Sequence, residues 1–145
     1  MEPILAKQIM TPTDLTVSED LKITDLVRLL RENRVGGLPV FRSEKMIGIV
    51  TVADVFKALQ IVQGMYFGKL LQYSKVFDVG KKMIRVKDIY QRSAVSLVPE
   101  SPIEQVLEFM VVHDLYTLPV MDEKKSVVYG VIGRHDVTWA IFGFQ

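Results

Sequence analysis

The chain has no cysteine among its 145 residues. That removes disulfides, thiolate nucleophiles and cysteine-ligated zinc in one step, and it suits a reducing compartment. Histidine is nearly as scarce, and His113 and His135 lack the close pairing of a metal-binding motif. A surplus of one charge is missing too. With 18 basic and 17 acidic side chains the net charge is +1, so no long-range field draws the molecule to nucleic acid or to an anionic membrane. Any anion has to be bound locally. No apolar run approaches the ~18 residues that cross a bilayer, and the opening MEPILAKQIM lacks the basic-then-apolar order of a secretion signal. Neither a nucleophile motif nor a Walker-type glycine loop is found. The expectation is a cytoplasmic protein, not an enzyme, that meets neither nucleic acid nor membrane.

What is present is repetition. With 49% hydrophobic residues the chain can bury a substantial core. Slid on itself by 80 positions it places Lys7 on Lys87, Ile9 on Ile89, Ile23 on Ile103, and Leu38-Pro39-Val40 on Leu118-Pro119-Val120. Two extra residues in MDEKKSVVYG change the offset to 82, and GIVTVADV then aligns with GVIGRHDV, so that Gly48, Asp54 and Val55 meet Gly130, Asp136 and Val137. The chain reads as two units, 1–60 and 86–145, joined by a connector at 61–85.

Each unit has one coarse plan. A short extended piece (Leu15 to Val17; Val95 to Val98) leads into an amphipathic helix, with Ile23, Leu26, Val27 and Leu30, or Ile103, Val106, Leu107 and Met110, at helical spacing. Asp20 and Ser101 are placed as N-caps, and Pro102 suits a first turn. Two apolar runs joined by a polar turn (RSEK; DEKKS) predict a hairpin, and a second helix starts at the shared octet. The order β-α-β-β-α gives an α+β fold in which each three-stranded sheet carries helices on one face and needs a partner for the other. The second unit is that partner.

The octets admit two chemistries. Thr51-x-x-Asp54 has capping-box spacing, in which hydroxyl and carboxylate satisfy helix-start amides reciprocally; Gly133 and Asp136 form a reduced version. Alternatively, the same helix starts offer amides to phosphate oxygens, while a carboxylate one turn along accepts from vicinal hydroxyls such as a ribose diol. Arg134 and His135 lie in a first turn, where positive charge opposes the macrodipole unless an anion binds there. Both readings stay open. His113 ends a helix in an ordinary capping position.

The lead-in segments KQIMTP and VKDIYQRS, the paired LPV strands, and the closing GIVTVAD and GVIGRHD resemble a tandem pair of CBS domains, often called a Bateman module. The resemblance covers nearly the whole chain and rests on the duplicated order of its motifs. It implies two repeats packed sheet to sheet with pseudo-twofold symmetry, and composite clefts for an adenosine-containing ligand such as AMP, ADP, ATP, S-adenosylmethionine or a cyclic adenine dinucleotide. It carries ribose or phosphate contact to Thr51, Asp54 and Asp136, and not to Gly133, which has no hydroxyl. It sets Met10, Leu15, Val35, Gly36 and Gly37 opposite Asp136, and Tyr90, Val95, Leu115, Tyr116 and Thr117 opposite Asp54. Gly133, Arg134 and His135 would hold an anion beside Asp136, the preferred cleft. No catalytic cofactor is implied. The resemblance further implies a homodimer forming a four-repeat disc and an output through an unidentified protein partner; a ligand-free scaffold acting by contact is the alternative.

Val55, Leu59, Val62 and Tyr66 are expected to continue a helix into the connector, whose Phe67, Leu70, Leu71 and Phe77 then need burial; the cluster of Lys81, Lys82, Arg85 and Lys87 is expected to be solvated, and the terminal WAIFGF to cover a core or an interface.

Overall fold

The computed structural model describes residues 2–65 and 84–144. Its first half contains α1 (Ala6–Ile9), β1 (Thr11–Pro12), β2 (Val17–Ser18), α2 (Ile23–Asn33), β3 (Gly37–Arg42), β4 (Lys45–Thr51) and α3 (Val52–Met65). The second half follows with a 3-10 turn (Val86–Asp88), β5 (Gln91–Arg92), α4 (Ile103–Val112), β6 (Thr117–Met121), β7 (Val128–Gly133) and α5 (Arg134–Ile141). One sheet runs β2-β3-β4-β5 and the other β1-β7-β6, with Leu97 bridging to Val120 as Val17 pairs with Val40. Both hairpins shift register at the same place, between Val40 and Phe41 and between Val120 and Met121, so the repeat extends to its irregularities.

The halves exchange their lead-in segments. Thr11 and Pro12 pair with Val131 and Gly130 of the second half, and Gln91 and Arg92 pair with Ile49 and Gly48 of the first. Each three-stranded unit thereby gains an edge strand from its neighbour. The exchange also corrects the expected helix caps: the N-cap residues are Lys22 and Pro102, with no capping side chain. Instead, Ile23 N donates to Ile84 O at 3.0 Å and Ile103 N to Ile4 O at 2.9 Å, so a carbonyl from the opposite arm satisfies an amide at each helix start. The Ser101 hydroxyl accepts from Val98 N at 3.0 Å, holding the turn before α4.

Three apolar clusters hold the two halves. Leu26, Leu30, Leu38 and Val50 fill the first; Val106, Met110, Leu118 and Ile132 fill the second; Met46, Ile49, Met121 and Val128 join the two sheets. Within the predicted helical stripes Val27 and Leu107 depart, being 44% and 45% exposed, because they lie at the edge of the core-facing stripe. At the WAIFGF end Ala140 is buried, whereas Trp139, Ile141, Phe142 and Phe144 are exposed on the single chain. Tyr66, Phe67, Leu70, Leu71, Phe77, Lys81 and Lys82 and the side chain of Val62 lie outside the described residues.

The glycine common to both octets now has a reason. A Cβ on Gly48 would lie 2.2 Å from Gln91 O and 2.6 Å from the Tyr90 ring; one on Gly130 would lie 2.7 Å from both Met10 Sδ and Thr11 O. Each glycine sits where the exchanged arm crosses the sheet, and at Gly48 the obstacle includes backbone. Gly48→Ala should therefore cost about 1–3 kcal/mol in urea denaturation. Gly36→Ala, whose added carbon meets nothing nearer than 3.9 Å, should stay within about 0.5 kcal/mol.

Candidate ligand-binding site

Both octets form a strand-to-helix corner, and the two corners meet across the pseudo-twofold axis. At the first, Thr51 N donates to Asp54 Oδ2 at 2.8 Å, the Thr51 hydroxyl donates to the same oxygen at 3.1 Å, and Asp54 N lies 3.3 Å from Thr51 Oγ1. At the second, Gly133 N donates to Asp136 Oδ2 at 2.8 Å, and glycine offers no acceptor for Asp136 N. The helix-capping chemistry is therefore present, but it uses one carboxylate oxygen. Asp54 Oδ1 carries no hydrogen bond among the described residues, whereas Asp136 Oδ1 lies 3.3 Å from His135 Nε2. The first amide of each helix is already taken, Val52 N by Gly36 O at 2.9 Å and Arg134 N by Tyr116 O at 3.2 Å.

Between the corners lies an open cleft of about 570 Å³, lined by Gly36, Thr51, Val52, Ala53, Phe56, Lys57, Tyr116, Thr117, Gly133, Arg134 and His135. Thr117 is 2% exposed, and its hydroxyl has no hydrogen-bond partner among the described residues. A Cβ on Gly37 would stand 2.9 Å from Thr117 Oγ1 and from Thr51 Cγ2, so the bare backbone at that position makes room for threonine side chains from both halves.

Arg134 is not held out to an anion. Its Nε donates to Leu115 O at 2.9 Å, its Nη2 reaches Met110 O and Asp114 Oδ1 at 3.4 Å, and its Cζ stands 4.0 Å over the Tyr116 ring. The charge that opposes the α5 dipole thus serves the carbonyl end of α4. His135, with its side chain 61% exposed, folds back onto Gly133 and Asp136.

The remaining candidates divide by half. Val35 and Leu115 are buried in the two separate cores, Leu15 and Tyr90 pack against the first and Met10 and Val95 against the second. The Tyr90 ring and the Met10 sulfur close over Gly48 and Gly130, so the exchange sets each beside the strand that leads to the other half's corner. Asp136 also borders a smaller cavity of about 160 Å³ with Gln8, Ile9, Trp139, Ala140 and Phe144. Sequence reasoning missed Phe56 and Lys57 in the cleft; Lys57 follows Asp54 by one helical turn, which was the available signal. His113 closes α4, its amide donating to Phe109 O at 3.1 Å and its ring edge-on to Phe109. Among the described residues no group of three or more His, Asp or Glu side chains is placed to hold a metal ion, and no helix is long and apolar enough to cross a membrane.

The CBS domain family matches residues 6–61 and 86–143, and the chain belongs to that family. Uncharacterized protein MJ1426 of Methanocaldococcus jannaschii is 25% identical, over 97% of this chain and 92% of its own length. A homoserine O-acetyltransferase of Methanohalobium evestigatum is 26% identical over 94% of this chain, which spans 24% of that enzyme. Among solved structures, the CBS domain pair of protein MJ0100 in complex with 5′-methylthioadenosine and S-adenosyl-L-methionine superposes with a TM-score of 0.71 at 19% identity, covering 98% of both chains. CBSX2 in complex with AMP gives 0.62 at 22% identity and 96% coverage of both. These structural likenesses establish the fold.

Burial pushes the Asp54 carboxyl above its ordinary value, against hydrogen bonds from Thr51 and the charge of Lys57. The fold thus favours the neutral acid. Asp54's contribution to stability is fully present below the unfolded carboxyl value, near 3.8, and is lost as pH rises through the folded one. Asp54→Asn, which keeps an acceptor for Thr51 N, should gain on wild type as pH rises from about 3 to about 7, whereas Asp54→Ala should lose about 0.5–2 kcal/mol at neutral pH. Denaturation at several pH values checks both.

Proposed function

We propose that this CBS pair is a regulatory module that takes an adenosine-containing ligand between its repeats and reports occupancy through a protein partner or a change in self-association. The observation that carries this reading is the inter-repeat cleft, lined by Thr51, Ala53 and Lys57 of one helix start and by Gly133 and His135 of the other; next to Ala53 in the chain, Asp54 spends Oδ2 on the cap of α3 and keeps Oδ1 free of hydrogen bonds among the described residues. A vicinal diol can donate to that oxygen. Phosphate oxygens, where present, find Lys57 and the Thr117 hydroxyl on the cleft wall. Two structural relatives hold such compounds, MJ0100 with 5′-methylthioadenosine and S-adenosylmethionine and CBSX2 with AMP. AMP, ADP, ATP, S-adenosylmethionine and a cyclic adenine dinucleotide remain the candidates. Asp54 replaces Asp136 as the first corner to test, because His135 and Arg134 are engaged within their own repeat.

A ligand-free scaffold is favoured by one specific observation, that both carboxylates cap their helices. Thermal denaturation of protein stripped of bound compounds separates the two. At a hundred times its dissociation constant the right adenosine compound stabilises the fold by about 2.7 kcal/mol, and Asp54→Asn should remove that gain without unfolding the chain. Melting curves that no adenosine compound moves would favour the scaffold.

A further inference from the structure

The two corners differ in what each aspartate has left to offer. At the first, the Thr51 amide and hydroxyl both meet Asp54 Oδ2, and Oδ1 has no hydrogen bond among the described residues. At the second, Gly133 N donates to Asp136 Oδ2 at 2.8 Å and His135 Nε2 stands 3.3 Å from Oδ1, so both oxygens are engaged. Nε2 is a donor in the imidazolium and in one neutral tautomer. The glycine is what permits this contact. Gly133 has φ −97° and ψ 166°, an extended backbone open to any residue. A Cβ there would nevertheless lie 2.9 Å from His135 Cε1 and 3.1 Å from its Nδ1, whereas the next atom, Asp136 Oδ2, stands at an ordinary 3.6 Å. The imidazole thus occupies the space in which a side chain at 133 would sit.

At the offset of 82, Gly133 corresponds to Thr51 and His135 to Ala53. The two exchanges act as a pair: loss of the threonine side chain makes the space, and the histidine fills it with a donor beside the aspartate. Ala53 and His135 both line the inter-repeat cleft, one from each helix start. Arg134 takes no part in this contact, since its Nε is spent on Leu115 O. Given the adenosine-binding function proposed above, we propose that His135 closes the second corner against a vicinal diol by holding Asp136 Oδ1. The cleft then takes its ligand in one orientation, with the sugar on Asp54. A carboxylate receives a diol only through an oxygen that is not already bonded, and Asp54 keeps one where Asp136 does not. His135 is thus the positioning residue that decides between two corners of the same backbone.

Two substitutions return first-corner residues to the second corner: His135→Ala deletes the ring, and Gly133→Thr displaces it while the histidine stays in the chain. The test is calorimetric titration of ligand-free protein with AMP and with S-adenosylmethionine. Asp54→Asn should raise the dissociation constant of the compound that binds by roughly tenfold or more. Adding His135→Ala, or separately Gly133→Thr, should recover most of that loss, because Asp136 can then receive the sugar. Adding Asp136→Asn to either pair should remove the recovery. Double variants that bind no better than Asp54→Asn overturn the proposal, as does a recovery that Asp136→Asn leaves intact. A second reading needs no ligand: one Gly133 α proton points where the Cβ would, so wild type should show a nuclear Overhauser contact between that proton and His135 Hε1. Its absence refutes the folded-back ring. Wild type that binds neither compound overturns the proposed function and the role of His135 with it. Failure of His135 alone is distinguished by a wild type that binds and double variants that do not.

Discussion

The rest of the structure depends on the exchange of two short backbone arms. A helix start leaves amides without intrahelical acceptors, and neither α2 nor α4 has a side chain that caps it. Carbonyls of Ile84 and Ile4 fill that role from across the molecule, while the strands that follow them extend the opposite sheet. Neither repeat can therefore satisfy its own backbone alone. The apolar residues between the sheets, Met46 and Ile49 against Met121 and Val128, add burial to a union that hydrogen bonding already requires. Gly48 and Gly130 follow directly, because the arm crosses too close for a Cβ.

The exchange also positions the corners. With each arm laid beside the strand that ends in Thr51 or Gly133, the starts of α3 and α5 are brought together around one cleft. At each corner one carboxylate oxygen orders the helix start; the other is unbonded among the described residues at Asp54 and lies against His135 at Asp136. The threonine-to-glycine change between the octets has a structural counterpart: the first corner closes a reciprocal cap, while the second loses it and engages Arg134 and His135 in local contacts. Two geometrically equivalent positions have thus become chemically unequal.

Much of this was legible in the sequence because the duplication exposed it. The matching LPV runs located β3 and β6, the octets located both corners, and apolar residues at helical spacing located the buried faces of α2 and α4. The arm exchange was hidden, since Thr11–Pro12 and Gln91–Arg92 are two-residue strands whose partners lie over a hundred and about forty positions away. Local pattern carries no record of such pairings. Arg134 was only partly legible for a related reason: a cation in a first helical turn points to an anion, while the carbonyls of Met110 and Leu115 that it meets belong to a helix end that only the folded hairpin brings near. Lys57 was overlooked because a lysine on a helix surface is ordinary until the facing wall is known.

The central claim is that the two corners form one ligand-responsive cleft. Amide chemical-shift mapping of the ligand-free protein titrated with AMP tests it most directly, because it reports every backbone position at once. The account predicts that the resonances of Gly36, Thr51, Asp54, Thr117 and Gly133 move together and saturate with a single binding constant. Shifts confined to a distant surface such as the Glu19–Arg42 edge, or a spectrum that does not respond to AMP or to any other adenosine compound, would contradict it.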